Sequence, residues 1–136
     1  MNKLGNKKVE YDGVVFDSKM ERDYYVYLRR LQDAGQIIAI ELQPTVELQP
    51  KFERGGKKYR AITYKPDFHI HWADGRVEYV DVKGISTQQG ELRRKMYLYR
   101  YDIPLRWVSA SKKYSKTGWI DYDELQRIRR ENRKRK

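Results

Sequence analysis

The feature that most constrains the fold is a pair of alternating segments on either side of Asp74-Gly75. Apolar and polar residues alternate over Asp67–Trp72 before this turn pair, and again over Tyr79–Lys83 after it. A period of two is typical of strands with one buried face, and Asp-Gly is a strong hairpin-turn signal. The sequence therefore predicts an antiparallel hairpin in the middle of the chain.

The length of the connecting loop decides which side chains share a face of this hairpin. A two-residue loop would set Phe68 opposite Asp81 and mix apolar with charged residues on one face. A three-residue loop, Ala73-Asp74-Gly75, instead sets Asp67 opposite Asp81 and separates the two kinds of residue. One face then carries Phe68, Ile70, Val80 and Val82. The other carries Asp67, His69, Tyr79, Asp81 and Lys83.

This polar face brings two carboxylates and an ammonium group together. Facing side chains on neighbouring strands have Cβ atoms about 5 Å apart, so Asp67 and Asp81 would resist ionisation without a cation between them. Oxygen ligands of this kind suit Mg²⁺ or Mn²⁺. Lys83 projects from the same face and could orient a water or help to deprotonate it. These are the parts needed for metal-assisted phosphodiester hydrolysis.

Hydrophobic periodicity in the rest of the chain predicts a mixed α/β domain. The predicted elements are a hairpin at Val9–Phe16, a helix from Ser18 to Gly35, strands at Ile38–Gln49, Lys58–Trp72 and Arg76–Lys83, a helix opening at Ser86-Thr87-Gln88-Gln89, a strand at Pro104–Ser109 and a helix from about Asp121. The order helix, three antiparallel strands, helix, strand is typical of helices covering a small sheet. On the second helix, Leu92, Lys95, Met96 and Tyr99 share the face expected to point towards the sheet, so Arg93 and Arg94 are expected to be exposed.

The positive charge of the chain is concentrated at one end. Its 136 residues fit one domain, predicted as 1–125, and their net charge is +11. The remaining segment, 126–136, holds seven of the Lys and Arg residues and one Glu. Such a charge favours polyanionic partners, nucleic acid first and acidic membranes second. The basic tail is interpreted either as a solubilising end or as a phosphate-binding segment.

Several classes of protein are excluded by what the sequence lacks. There is no cysteine, which excludes disulfides, thiolate zinc sites and cysteine nucleophiles. Met1–Lys8 is polar and basic with no apolar stretch behind it, and no run approaches membrane-spanning length. A cytoplasmic protein that does not enter the membrane is therefore expected.

Two short motifs resemble the signature of the PD-(D/E)XK nuclease superfamily, whose members have a restriction-endonuclease-like core. They are Pro66-Asp67 and, after thirteen intervening residues, Asp81-Val82-Lys83. The predicted order of elements between Asp12 and about Ser109 is similar to the core of that superfamily. The sequence also resembles small phage-encoded nucleases, including Holliday-junction resolvases, at Asp12-Gly13, Phe16-Asp17-Ser18-Lys19, Glu21, Gln43-Pro44, Tyr64–Phe68 and Gly84.

The resemblance implies a role for each matching residue. Asp67 and Asp81 would be metal ligands for Mg²⁺ or Mn²⁺, joined by Glu21 and the Val82 carbonyl, and Lys83 would be the catalytic lysine. Lys95 lies where the superfamily keeps an accessory residue. The second acid of the motif is Asp here rather than the commoner Glu, which gives it a shorter reach.

Each of these residues also has an ordinary structural interpretation. Asp81 and Lys83 could form a surface charge pair, and Glu21 could close a capping box with Ser18. His69 and His71 form a His-x-His pair that could bind a metal, although His69 is expected instead to line the site and touch phosphate. The basic residues expected to contact DNA are Lys19, His69, Arg93, Arg94, Lys95, Arg127, Arg129, Arg130 and Arg133.

The sequence thus favours a metal-dependent, structure-selective DNA endonuclease, most specifically a Holliday-junction resolvase. The core is expected to leave no sizeable insertion for reading base edges, which favours structure over sequence as the recognised feature. Two opposing cuts require a homodimer, with the N-terminal hairpin and the C-terminal helix as candidate interfaces. The alternatives are a nicking or restriction-like nuclease on linear duplex or flaps, and a non-catalytic nucleic-acid-binding module. If the protein is phage-borne, the expected compartment is the cytoplasm of the bacterial host.

Overall fold

The structure, a computed structural model, describes residues 7–135 and contains three helices and eleven strands within them. The helices are α1 (Lys19–Asp33), α2 (Gln88–Arg100) and α3 (Tyr122–Lys134). The strands are β1 (Val9–Tyr11), β2 (Val14–Phe16), β3 (Ile37–Leu42), β4 (Val46–Gln49), β5 (Phe52–Arg54), β6 (Lys57–Tyr59), β7 (Ile62–Tyr64), β8 (Phe68–Trp72), β9 (Val77–Val82), β10 (Leu105–Ala110) and β11 (Trp119–Asp121).

A five-stranded mixed sheet forms the centre of the fold, with strand order β11-β10-β9-β8-β3. Strands β3, β8 and β9 are antiparallel neighbours, whereas β10 runs parallel to β9. The parallel pair requires a crossover connection, which α2 supplies. The mixed α/β class and the predicted order of helix, three antiparallel strands, helix and strand are therefore confirmed.

The predicted register of the central hairpin is confirmed. Phe68 lies opposite Val80, and the backbone N–H of Trp72 donates to the Arg76 carbonyl over 2.9 Å, which leaves a three-residue loop. Gly75 closes this loop at φ 96°, a left-handed conformation that glycine adopts without a steric penalty. The register follows from burial, because slipping by one residue would turn the apolar face towards solvent.

Helices pack on both faces of the sheet and create two apolar clusters. On one face, α1 buries Tyr24, Tyr25 and Leu28 against a cluster that includes Phe68 and Val80. This helix begins as predicted, because the Ser18 hydroxyl accepts the Glu21 N–H. On the opposite face, α2 buries Tyr97 in a cluster with Val46, Leu48 and Tyr64.

The segment between β3 and β8 differs from the prediction. The region that includes the expected strands at Ile38–Gln49 and Lys58–Trp72 contains six separate strands, β3 to β8, and four of them lie outside the central sheet, namely β4, β5, β6 and β7. Strands β4 and β7 form one antiparallel ribbon, and β5 and β6 form a hairpin beyond it that turns at Gly55-Gly56. We call this hairpin, Phe52–Tyr59, the arm. The expectation that the core carries no sizeable insertion is therefore wrong.

Four further features differ from the predicted pattern. The alternation of apolar and polar residues in the expected strand Ile38–Gln49 puts Ile38 on its buried face, but Ile38 is 67% exposed because a register shift between Ile37 and Ala39 turns it outwards. The second helix begins after Thr87, whose side chain accepts the Gly90 N–H, one residue later than expected. The short strand β11 was not predicted, and α3 continues to Lys134.

None of the described helices is both long and apolar enough to cross a membrane.

Candidate active site

Asp67 and Asp81 are joined through the ends of the central hairpin. Asp67 directly precedes β8, and its backbone N–H donates to Asp81 Oδ1 over 3.1 Å. In return, Asp67 Oδ2 accepts the backbone N–H of Val82 over 2.8 Å. The two acids that the register argument placed together therefore lie side by side at one edge of β9.

The second oxygen of Asp81 is held by an aromatic pair and a lysine. Asp81 Oδ2 accepts the Tyr64 hydroxyl over 2.5 Å and lies 3.3 Å from Lys83 Nζ. The Tyr64 hydroxyl in turn accepts Trp107 Nε1–H over 3.1 Å. Asp81 is only 4% exposed, so this chain fixes a buried carboxylate in one orientation.

Lys83 points into a cleft beside the acids. Its ammonium group lies 4.9 Å from the Trp107 ring centroid, and its side chain is 24% exposed. The cleft has a volume of about 430 Å³. Its lining comprises Glu21, Thr63, Tyr64, Lys65, Asp67, Asp81, Val82, Lys83, Thr87, Gln89, Gly90 and Arg93. The fold thus gathers all of the residues expected to act in catalysis around one opening.

Two acids of this cleft, Glu21 and Asp67, are in surroundings that disfavour their ionised form. Burial raises the pKa of Glu21 to about 7, and the negative charges of Asp17 and Asp81 add to the shift. Burial also raises the pKa of Asp67 well above its ordinary value, and the charges of Asp81 and Glu21 raise it further. Each acid would ionise more readily beside a cation.

The donor set fits a hard divalent cation, although it is not assembled as a finished coordination shell. No three His, Cys, Asp or Glu side chains within residues 7–135 converge closely enough to hold one ion. The Val82 carbonyl lies on the same strand edge as its N–H, which bonds to Asp67, because both groups of a strand residue point to one side. Asp67, Asp81 and Val82 therefore offer oxygen atoms of the type that Mg²⁺ and Mn²⁺ prefer, with Glu21 on the same cleft.

Comparison with known proteins places the chain in a family but gives it no activity. Residues 1–116 match the model of a family described as "Protein of unknown function (DUF1064)". The chain belongs to the DUF1064 family. No curated protein and no solved structure matches it. Chemical roles for this DUF1064 protein must therefore come from its own geometry.

The two arginines of α2 that were expected to be exposed are part of the structure around the cleft. Arg93 is half-buried, lines the cleft and donates through Nε to the Thr63 carbonyl over 3.2 Å. Arg94 pairs with Asp123 and lies 4.3 Å from the Trp107 ring centroid. The prediction of exposure is wrong for both residues.

Lys95 has the opposite orientation to the expected one. It is exposed, as are Leu92 and Tyr99 of the same predicted face, because Tyr97 rather than Met96 occupies the centre of the buried stripe of α2. Tyr97 is fixed there by its hydroxyl, which donates to the Ile103 carbonyl over 2.7 Å. Lys95 therefore does not enter the cleft of this DUF1064 protein.

His69 lies on the polar face of the sheet but not among the residues that line the cleft. Its Nδ1 is 3.2 Å from Glu41 Oε1, and its ring stacks on Tyr79 with the centroids 4.4 Å apart. His71 is its neighbour, with the ring centroids 4.6 Å apart, but the pair belongs to no group of metal-ligand type within the described chain. The expectation that His69 lines the site is wrong.

The remaining DNA-binding candidates lie farther along the surface. Lys19 is exposed and borders a second cavity that shares Glu21 with the cleft beside Asp67 and Asp81. Arg127 on α3 is paired with Glu124 and Glu131. The other three candidates on this helix are exposed, namely Arg129, Arg130 and Arg133.

Sequence reasoning missed two residues that complete the site. They are Tyr64, which donates to Asp81, and Trp107, which donates to Tyr64. Tyr64 could have been found because it occurs just before Pro66-Asp67, at the end of an apolar stretch. Trp107 carries no local signal, since its position depends on how β10 packs in space.

Proposed function

We propose that this protein is a divalent-metal-dependent DNA endonuclease and that branched DNA, in particular a four-way junction, is its substrate. One observation carries the proposal: two acids and a lysine, Asp67, Asp81 and Lys83, meet on one edge of β9 inside an open cleft. A restriction-endonuclease-like core is part of the proposal. The arrangement of α1, the antiparallel strands β3, β8 and β9, then α2 and β10 supports it.

The proposed ligands are Asp67, Asp81, the Val82 carbonyl and Glu21. A bound Mg²⁺ or Mn²⁺ would polarise the phosphodiester and lower the pKa of an attacking water. The protein contributes the orientation of Asp81, because Tyr64 and Lys83 both contact its Oδ2. Without these contacts a buried carboxylate would be free to rotate away from the reacting phosphate.

The chain's own cations account for the rest of the chemistry. Lys83 extends from β9 into the cleft, where its ammonium group can orient the attacking water and balance negative charge as it develops on the phosphate. Arg93 lines the same cleft and is the nearest candidate for holding the phosphate in place. Both residues would contact the substrate, whereas Tyr64 and Trp107 act by positioning Asp81.

The preference for branched DNA draws on the resemblance to small phage-encoded resolvases and on the net charge of +11. Phosphate contacts provide binding that is independent of sequence, which suits recognition of a branch. Two strands must be cut at a junction, so we propose that a homodimer acts there. Linear duplex and flap DNA are the competing substrates.

A cleavage assay tests the proposal directly. The protein is incubated with a labelled four-way junction, with its separate linear arms and with a flap, in Mg²⁺, in Mn²⁺ and in chelator. We expect metal-dependent cutting of the junction while the linear arms stay intact. Equal cutting of all three DNAs would retain the nuclease and overturn the preference for branches.

Asp81→Asn is the decisive variant, and Asp74→Asn is its matched control. Both changes neutralise one aspartate on the same hairpin, but Asp74 lies in the exposed turn and pairs with Arg76. Asp81→Asn should abolish cutting and retain junction binding, whereas Asp74→Asn should cut like the wild type. Cutting by Asp81→Asn at the wild-type rate would disprove the active site, and binding without cutting by the wild type would favour a non-catalytic module.

A further inference from the structure

The arm has regular structure and is exposed along its whole length. Every residue from 51 to 60 is exposed, although β5 and β6 pair in register. An isolated two-stranded hairpin has little stability of its own in water. The stacked rings of Phe52 and Tyr59, with centroids 4.7 Å apart and planes 9° apart, hold this one together.

The two faces of the arm differ in chemistry. Directly paired residues share a face, and the pairs alternate between faces along the hairpin. Phe52 pairs with Tyr59, and Arg54 pairs with Lys57, so one face carries two aromatic rings and two cations. The opposite face carries Glu53 paired with Lys58, whose charges balance.

We propose that the aromatic and cationic face of the arm binds a DNA strand next to the active-site cleft. Cations on such a surface neutralise phosphates, and exposed aromatic rings stack on bases that are not fully paired. Phe52 and Tyr59 are 44% and 40% exposed, so their rings are accessible to a base. Lys57 Nζ lies 5.1 Å from the Tyr59 ring centroid, which places a positive charge beside the aromatic surface.

The base of the arm is anchored at the proposed active site. Tyr64, which ends the β4–β7 ribbon, donates to Asp81 Oδ2, and its neighbours Thr63 and Lys65 line the cleft. Tyr64 is the fifth residue after Tyr59, so their Cα atoms are at most about 18 Å apart. A DNA strand advances about 3.4 Å per nucleotide. The arm can therefore reach DNA within about five nucleotides of a phosphate in the cleft.

The ribbon beneath the arm is also fixed to α2, which keeps its direction constant. Arg100 donates to the Leu48 carbonyl over 2.9 Å, and the Tyr101 hydroxyl donates to the Glu47 carbonyl over 2.5 Å. A rigid support reduces the conformational entropy lost on binding. This inference rests on the proposed function, because it takes DNA to be the substrate in the cleft.

Neighbouring lysines on opposite faces provide a matched test of the charges. Lys57→Gln and Lys58→Gln remove the same charge one residue apart, so any effect of net charge alone is equal. Binding to a fluorescent four-way junction is measured by anisotropy in chelator, where no cutting occurs. We expect Lys57→Gln to raise Kd about fivefold and to lower the slope of log Kd against log salt by about 1. Lys58→Gln should change Kd by less than about twofold, and equal effects would overturn the proposal.

A second variant tests the aromatic rings without removing the apolar contact that joins the strands. Phe52→Leu with Tyr59→Leu keeps a cross-strand apolar pair and removes both ring faces. It should raise Kd for the junction about tenfold and leave Kd for perfectly paired linear duplex nearly unchanged. The swapped variant, Phe52→Tyr with Tyr59→Phe, should bind the junction like the wild type. Wild-type junction binding by the leucine variant would overturn the stacking role.

The two proposals fail in distinguishable ways. The nuclease would be overturned, and the arm kept as a binding element, if the wild type binds the junction without cutting it and Lys57→Gln weakens binding more than Lys58→Gln. Protein that cuts with metal while Lys57→Gln and Lys58→Gln bind equally would do the reverse. Failure of the wild type to bind any DNA would overturn both.

Discussion

The backbone N–H of Asp67 donates to Asp81 Oδ1, so the two proposed ligands from adjacent strands form one hydrogen-bonded unit. The bond requires the odd-length loop of the central hairpin, because an even loop would place the acids on opposite faces. The length of the loop therefore determines both the register of the hairpin and the pairing of the two acids. Lys83 extends the same unit, since its ammonium group lies 3.3 Å from Asp81.

Lys83→Ala is expected to slow cleavage of the junction by about 100-fold or more, because it removes the one ammonium group that contacts Asp81 Oδ2 in the described site. Junction binding in chelator should change by less than about threefold, since a single phosphate contact contributes little to the whole. Single-turnover cutting and anisotropy measure the two effects. Lys112→Ala, at an exposed loop position, is the control. Wild-type cutting by Lys83→Ala would remove this residue from the mechanism.

Tyr64→Phe is expected to lower the free energy of unfolding by about 1–2 kcal/mol. It leaves Trp107 Nε1–H without its acceptor and Asp81 Oδ2 without a hydroxyl donor. Urea unfolding measures the loss, with Tyr99→Phe as the control because Tyr99 is 95% exposed. If Tyr64 positions Asp81, cutting should also fall while junction affinity stays constant. Equal stability of the two variants would show that the buried hydroxyl does not support the site.

Glu21→Gln is expected to stabilise the metal-free protein at pH 8. The pKa of Glu21 is raised from 4.5 to about 7 in the folded state, so between these values the native protein holds a proton that the unfolded chain has released. Stability therefore falls as the pH rises through this window, and it stays lower above it. Removing the charge should recover about 2 kcal/mol at pH 8 and almost nothing at pH 4. Urea unfolding at both pH values, with the exposed Glu10→Gln as control, decides whether Glu21 carries this cost.

The stabilisation of the wild type by Mg²⁺ or Mn²⁺ is expected to grow as the pH rises from 6 to 8. A divalent ion would have to displace protons from Glu21 and Asp67, whose pKa values are both raised by burial and by the negative charge of Asp81. Thermal unfolding with and without the metal should give a larger increase in Tm at pH 8. The Asp74→Asn variant should behave like the wild type. A Tm increase that is independent of pH would mean that the metal binds elsewhere.

The central hairpin could be predicted from sequence because its pattern admits only one favourable register. Phe68 and Val80 had to share the buried face. Because side chains alternate along a strand, Asp67 and Asp81 then lie together on the opposite face. The start of α1 was equally local, since Ser18 caps it three residues before Glu21. In such segments the sequence neighbours themselves determine the structure.

The face of α2 could not be predicted in this way. Leu92 and Met96 suggested one apolar stripe, but Tyr97 is the residue that is buried, because it packs between Tyr64 and Tyr79 from distant strands. The arm was missed for a related reason. Nothing in its alternating residues indicates that β5 and β6 leave the central sheet and pair only with each other.

The arginines of α3 offer a matched test of the basic tail. Arg127 donates to Glu124 over 3.1 Å and to Glu131 over 3.2 Å, so its charge is already balanced within the helix. The other candidate arginines of this helix are exposed and have no acidic partner within 4.0 Å in the described chain, namely Arg129, Arg130 and Arg133. Arg129→Gln should lower the slope of log Kd against log salt for junction binding by about 1, and Arg127→Gln should lower it by less than about 0.5. Equal slopes for Arg129→Gln and the wild type would mean that this part of the tail does not contact phosphate.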